Sequence, residues 1–419
     1  MSFLRRKSLK DPEFRKGRLG FYDLSSAHGK KPGVYGEEPR IWFHAVSVGE
    51  VTGAVPTLLA VRKRLPGAAL FLSVGTPQGL RHARDLLPED VPVFPFPLDF
   101  SKCVARAVTT VRPDLFVAFE TEFWPNFYHR LAGRGIPALL LNGRVSESSE
   151  RFYSILSPLF RPVFEQFEKM AMHSEEDAGR AARIGARPEK ILVLGSSKYD
   201  GLAARARPER AQFWKKLLGL GETAPVIVAG SLRGTECFTL MRVFEKLREA
   251  SPDIVGVFVP RHLYNIPKMA ARLSERKIAY DLLTDLEAGR RARSAPVVLV
   301  DRMGALFELY SAGDLIFCGG TFEPVGGHNI LEPAAWGKAV FYGPHLKKVP
   351  REHRILHNFG GSFLALDAED LLSQWKKWVA DPAGLKERGM LAKEALDTLG
   401  GVVDRQVKLI VDTLSKRAR

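Results

Sequence analysis

Along the chain, short runs of apolar and β-branched residues recur between longer stretches in which apolar residues return every three or four positions. The first pattern predicts strands buried on both faces, the second predicts amphipathic helices, and their alternation is the βαβ rhythm of parallel sheets. Strands are predicted at 41–46, 69–74, 91–96, 115–119, 138–142, 169–173 and 191–194, then at 226–230, 254–260, 297–300, 315–318 and 339–342. Between the two sets lies a polar, arginine-rich stretch, 197–223, that carries no strand signal. This divides the chain into an N-terminal arm, 1–37, a first domain, 38–205, and a second, 206–419, whose tail from 367 onward reads as two or three helices. The expected fold class is α/β, two doubly wound domains facing a central cleft, with ligands at the carboxyl ends of the strands.

At 419 residues and 45% apolar content, the chain can bury full cores in about two or three domains and is not disordered. Cys103, Cys237 and Cys318 are far apart and form no CxxC, which excludes a disulfide framework and a zinc-thiolate site and suits a reducing compartment. No apolar run is long enough to span a bilayer and the N-terminus has no signal-peptide core, so the chain is expected to be neither exported nor membrane-spanning. The net charge is +15, and Arg5, Arg6, Lys7, Lys10, Arg15, Lys16 and Arg18 crowd the arm against Asp11 and Glu13. That bias suits an anionic membrane surface, a phosphorylated substrate or nucleic acid, or else is a solvated arm. Nucleic acid is disfavoured because the positive charge is spread along the chain rather than set in a stripe with interleaved aromatics.

The densest local signal is GGTFEPVGGHNILEPAAWGKAVFYGPH, 319–345, read as strand end, glycine-rich turn, helix and second strand. Gly326 and Gly327 allow a tight bend, Asn329 is a candidate N-cap, and Glu332 stands at capping-box spacing with Pro333 in the first turn. A helix start behind such a turn suits a phosphate; the alternative is a βα turn that binds nothing. Ser231, in VIVAGSLRGTE, and Arg261 and His262, in VGVFVPRH, end neighbouring strands and would add a hydroxyl and a fixed cation.

In the first domain, HAVSVGE brings His44, Ser47, Gly49 and Glu50 to a strand-to-helix junction. Glu50 there either complements the helix dipole or, partly desolvated, works as a general base. FETEFWPN sets Glu120 and Glu122 two residues apart on extended backbone, where like charges raise one pKa, and Trp124 is either a flat wall for a sugar or core packing. Asn142 and Arg144 end the next strand, Arg144 being suited to a substrate phosphate or carboxylate. His328 with Glu332, and His353 with His357, have i, i+4 spacing but no third ligand nearby, so no metal is expected. No GxGxxG, GxxxxGK[ST] or GxSxG occurs, which removes the common dinucleotide, P-loop and serine-hydrolase readings.

Taken in order and separation, HAVSVGE, FETEFWPN, NGRVSESS, VPRH, DRMG and the 319–345 motif resemble the 3-deoxy-D-manno-octulosonic acid (Kdo) transferases of lipopolysaccharide core synthesis. The likeness covers roughly residues 38–415. The resemblance implies a GT-B glycosyltransferase of two Rossmann-like domains, inverting, metal-independent and without cofactor. It implies that the second domain binds CMP-Kdo and the first a lipid A precursor, lipid IVA, at the cytoplasmic face of the inner membrane, to which this chain would be held peripherally. By motif, Glu50 is then the base and Glu122 a second required carboxylate; Ser231, Arg261, His262, Gly326, Gly327, His328, Asn329 and Glu332 bind the donor; and Ser47, Gly49, Trp124, Asn142 and Arg144 line the acceptor side. Alternatives in other classes are a GT-B transferase using a UDP-sugar and a non-catalytic membrane-surface or nucleic-acid-binding protein. The sequence departs from the family in lacking an apolar N-terminal anchor, in Ser197, where an asparagine is usual, and in Arg302, where a small polar residue is usual.

Overall fold

A computed structural model describes residues 11–24, 38–221 and 224–417 and divides into two compact units, one of residues Met1–Gly201 with Leu399–Arg419 and one of Leu202–Thr398. The first holds β1 (Arg40–Ala45), β2 (Ala69–Val74), β3 (Val93–Pro95), β4 (Leu115–Phe119), β5 (Ala138–Gly143), β6 (Phe167–Met172) and β7 (Ile191–Val193), in the order β3-β2-β1-β4-β5-β6-β7. Every pairing is parallel. Alternate residues of these apolar runs serve opposite faces. Trp42, Phe116 and Ala118 enter one core, while Ile41, Phe43, Val117 and Phe119 enter the other.

The second unit repeats the design with β8 (Val226–Leu232), β9 (Val255–Pro260), β10 (Tyr280–Leu282), β11 (Val297–Leu299), β12 (Leu315–Cys318), β13 (Val340–Tyr342) and β14 (Ser362–Leu364). Their order is β10-β11-β9-β8-β12-β13-β14, again all parallel. The direction in which successive strands are added to the sheet reverses between β1 and β4 in one unit and between β8 and β12 in the other. In doubly wound sheets such switch points open the crevice where ligands bind. All twelve strands expected from the sequence are present; β10 and β14, three residues each, were not expected.

Two domain expectations are corrected. Within the expected arm, residues 1–10 and 25–37 lie outside the described residues, while 11–24 pack on the first unit. Asp11 caps the helix Pro12–Arg18, Phe14 is buried, Arg18 donates to the Phe96 carbonyl at 2.8 Å, and Tyr22 stacks on Phe94. Of the basic residues noted in the arm, Arg5, Arg6, Lys7 and Lys10 are outside the described residues. The terminal helices do not all stay with the second unit. Ala368–Ala380 and Pro382–Asp397 do, but Val402–Arg417 joins the first, its stripe Val403, Val407, Ile410 and Leu414 packing into that core. There Gln406 donates to Asn142 Oδ1 at 2.8 Å and accepts from Thr57 at 2.6 Å. Among the described residues no helix is long and apolar enough to cross a membrane.

Candidate active site

In the first unit the switch point gathers the residues that follow β1 and β4. Ser47 caps the helix Val48–Arg64, accepting from Glu50 N, while Glu50 reaches back to accept from Val46 N at 2.7 Å and from Ser47 Oγ at 3.1 Å. The arrangement is close to a capping box, with the carboxylate reaching the N–H one residue before the cap, so Glu50 does serve the helix start. That role does not hold the carboxyl in its ordinary range. Burial first, then the negative charges of Glu122 and Glu120, push Glu50 up to about 8, outweighing the hydrogen bonds from Val46 and Ser47. A Cβ on Gly49 would meet only Ser47 Oγ, at 3.9 Å, so nothing inside the fold demands glycine there.

Beyond β4 the chain takes a left-handed step at Glu120, φ +62°, and Glu120 pairs with Lys198 Nζ at 2.5 Å. Glu122 accepts from Trp124 Nε1 at 2.7 Å and faces His44 Nε2 at 3.5 Å. His44 is fully buried, its Nδ1 held by Ser73 and its ring stacked 3.9 Å from Phe96, so it is a fixed neighbour of Glu122. Of the roles expected for Trp124 the packing is present, at 5.9 Å from Phe96, and its indole N–H also orients the Glu122 carboxylate, a role not expected from the sequence. Asn142 is placed differently from the acceptor contact expected of it. It is buried, its amide donates to Ser197 Oγ at 2.8 Å and accepts from Ser197 N and Gln406, and it therefore ties β5 to 197 and to the terminal helix. Arg144, by contrast, is exposed.

In the second unit the residues after β8 and β12 converge. The α-helix expected from Asn329 does not form: a turn leads into a 3-10 helix, Ala334–Trp336, ended by Gly337 at φ +65°. Pro333 supplies no N–H and the left-handed Gly337 stops propagation, so one turn is all the segment sustains. Asn329 still caps, accepting from Leu331 N at 3.2 Å, and its amide lies 3.4 Å from Glu332, whose carboxyl burial pushes up. Positive potential comes from side chains instead of a helix dipole. His328 is pushed down to about 4 by burial and by Arg233, Arg261, Lys348 and His262, so it is neutral and accepts from Arg233 Nε at 3.1 Å. His262 stacks on Tyr264, and Ser231 is held at φ +55° beside a register shift in β8.

Glu236 is the residue that motif reading missed. Fully buried, it accepts from Arg233 N (2.8 Å), Gly320 N (2.7 Å), Thr321 N (2.9 Å) and Phe322 N (2.8 Å), clamping the glycine-rich turn to the end of β8. Those N–H groups are therefore spent inside the fold. The Arg233-to-Glu236 spacing in RGTE was the available signal, since a carboxylate three residues on reaches back to a backbone N–H. The pairing of Lys198 with Glu120 had no such signal, the two standing 78 residues apart. Among the described residues no group of three acidic, histidine or cysteine side chains could hold a metal.

The profile of the 3-deoxy-D-manno-octulosonic acid transferase family matches residues 15–201. The chain is 32% identical over 319 residues to the 3-deoxy-D-manno-octulosonic acid transferase of Chlamydia pneumoniae, covering 76% of this chain and 72% of that one. It is 27% identical over 424 residues to the enzyme of the same name from Haemophilus influenzae, covering 99% and 96%. In fold it is similar to a UDP-GlcNAc 2-epimerase from Neisseria meningitidis, with TM-score 0.60 and 14% identity over 90% of this chain and 99% of that one. A glycosyltransferase from Rickettsia africae gives TM-score 0.56 and 14% identity over 91% and 99%. Those two likenesses bear on the fold alone, which is the GT-B type of two Rossmann-like domains. With relatives this similar over most of both chains, the protein belongs to the 3-deoxy-D-manno-octulosonic acid (Kdo) transferase family of glycosyltransferases.

Proposed function

We propose that this chain transfers Kdo from CMP-Kdo to the glucosamine disaccharide of a lipid A precursor, lipid IVA, inverting the anomeric centre. The observation that carries the reading is Glu50, held in the first turn of the helix after β1 by Val46 N and Ser47 Oγ, and pushed up to about 8 by burial and by the charges of Glu122 and Glu120. A base with that pKa is matched to accepting a sugar hydroxyl proton near neutral pH. As the proton passes to Glu50, the hydroxyl oxygen bonds to the anomeric carbon. The bond from that carbon to the CMP phosphate oxygen breaks with its electron pair, and CMP leaves. The phosphate then needs positive charge rather than a proton, which Arg261, Arg233 and Lys348 around His328 are suited to supply. Ser231, His262 and the turn at Gly326, Gly327 and Asn329 line that phosphate site in this reading, and Glu332 takes the ribose hydroxyls. Ser47, Gly49, Trp124 and Arg144 serve the acceptor, with Asn142 setting the backbone beneath them.

Peripheral attachment to an anionic membrane fits the helices Glu147–Ile155 and Ser157–Glu165. They leave Phe152 51%, Ile155 80% and Leu159 53% exposed, on helices that carry the exposed Arg151 and Arg161 along with Glu147 and Glu165. The donor assignment is tested by thermal shift with CMP, UDP and ADP. CMP at about a hundredfold its Kd should stabilise by about 2.7 kcal/mol. A larger shift with UDP would replace this donor by a UDP-sugar.

A further inference from the structure

The second unit contains a cavity at the other end of its sheet from the glycine-rich turn. It lies beneath the amino ends of β8, β12 and β13, between the helices Pro208–Leu217 and Pro382–Asp397, with a volume of about 820 Å³. That is ample for a small organic ligand.

Its chemistry is two-sided. Lys215, Lys338, Lys386 and Lys393 line it against a single carboxylate, Asp314. Lys338 is 23% exposed, and its ion-pair partner Asp314 Oδ1 stands 3.8 Å away on a carboxylate that is itself half in water. Burial pushes the Lys338 ammonium below its ordinary pKa, with Lys215 and Lys386 adding to the effect and Asp314 opposing it. A desolvated cation among like charges is stabilised by any anion that enters. The remaining wall is apolar: Trp378 and Leu385 are buried behind it and Met390 is half exposed. Trp336 closes one side, fixed by its Nε1 donating to the Phe307 carbonyl at 2.7 Å. An inorganic anion would leave the tryptophan wall wet, and a neutral apolar molecule would leave the lysines uncompensated.

We propose that this cavity binds a small amphiphilic organic anion, its carboxylate or phosphate on Lys338 and Lys386 and its apolar body against Trp378, Leu385 and Met390. The site is independent of the donor assignment. Calorimetry on the full chain, with CMP present throughout, would compare decanoate, decyl phosphate, decanol and inorganic phosphate, all below micellar concentrations. At least one of the two amphiphilic anions should bind saturably, and which of them binds tighter tells a carboxylate ligand from a phosphate one. Decanol and inorganic phosphate should bind at least about tenfold more weakly, and Lys338→Met and Lys386→Met should each weaken the anion by about tenfold. Lys386 is exposed, so its variant carries the test if replacing Lys338 disturbs the fold. Decanol or inorganic phosphate binding as well as the amphiphiles, unchanged affinity in both variants, or no saturable binding would each overturn the proposal.

Discussion

Replacing Glu50 with glutamine removes the ionisable group while keeping its size and most of its cap. Because burial and two neighbouring carboxylates hold the Glu50 pKa at about 8, ionising it at pH 7 costs about 1.4 kcal/mol, and about one molecule in ten carries the base form. Wild-type kcat/KM should therefore climb about tenfold per pH unit below that point and level above it. Glu50→Gln should lower turnover by at least about 10² and abolish the climb. Glu122→Gln removes the neighbouring charge that raises Glu50 most and should move the midpoint to lower pH whatever it does to the maximum rate. Stability responds with a fixed sign. A carboxyl raised from 4.5 to about 8 favours the protonated fold, so its contribution is intact below pH 4.5 and is lost as pH climbs through 8. Glutamine does not ionise, so the variant's Tm relative to wild type should be higher at pH 9 than at pH 5. CMP release followed from roughly pH 5.5 to 9.5, with calorimetric Tm at both ends, checks each step. Turnover within threefold of wild type, a flat wild-type profile between pH 6 and 8, or a Tm difference of the opposite sign would refute the reasoning.

Glu236→Gln turns an amide NH2 toward backbone N–H donors that now meet a carboxylate, and should cost about 1–3 kcal/mol in urea unfolding and weaken CMP; unchanged stability would mean the turn holds itself. Gly327→Val places a Cβ 2.9 Å from Val349 Cγ2 at φ +87°, and Glu332→Ala removes the carboxyl assigned to the ribose. Each should weaken CMP binding by about 1–3 kcal/mol in calorimetry, and two unaffected variants would move the nucleotide elsewhere. Phe152→Asp with Ile155→Asp should reduce co-sedimentation with anionic vesicles, and roughly 0.5 M salt should weaken the wild-type interaction; undiminished binding in the variant would clear these helices of the role.

The strands were legible because parallel sheets covered on both faces demand near-continuous apolar runs such as LFVAF at Leu115–Phe119. The edge strands β10 and β14 were not, since YDL and SFL are too short to show any period. Helical periodicity in the tail was equally clear, yet a stripe such as Val403, Val407, Ile410 and Leu414 states that a helix buries one face and not which unit it buries it against. The 319–345 motif carried every local signal of a helix start, but Gly337 after a single turn outweighed them. Candidate site residues next to strand ends were found because a strand's end is readable. Lys198 and the contacts of Glu236 with the glycine-rich turn act across distance in sequence, where only the fold brings partners together.

One feature of both sites carries no sequence signal in its residue types. Five non-glycine residues among those described have positive φ, and three of them, Glu120, Asn142 and Ser231, stand at the carboxyl end of a strand. Asn142 and Ser231 coincide with register shifts, in β5 against β6 and in β8 against β9, so the strand is re-aimed where it meets the crevice. Left-handed backbone costs a side-chain-bearing residue about 1–2 kcal/mol, and it persists where the surroundings hold it. Glutamate and serine have no special tolerance of it, so the strain points to a use for the side chain rather than for the turn. At Ser231 this gives a comparison with an inverted sign. In an ordinary strand position glycine is less stable than alanine by about 0.5–1 kcal/mol. Here Ser231→Gly should be the more stable of the pair by about 1 kcal/mol, because only alanine retains the strained Cβ. Both should bind CMP more weakly than wild type if the hydroxyl touches the phosphate. Urea unfolding of the two variants decides the first point, and alanine proving the more stable would mean that the bend at Ser231 relaxes freely and was never strained.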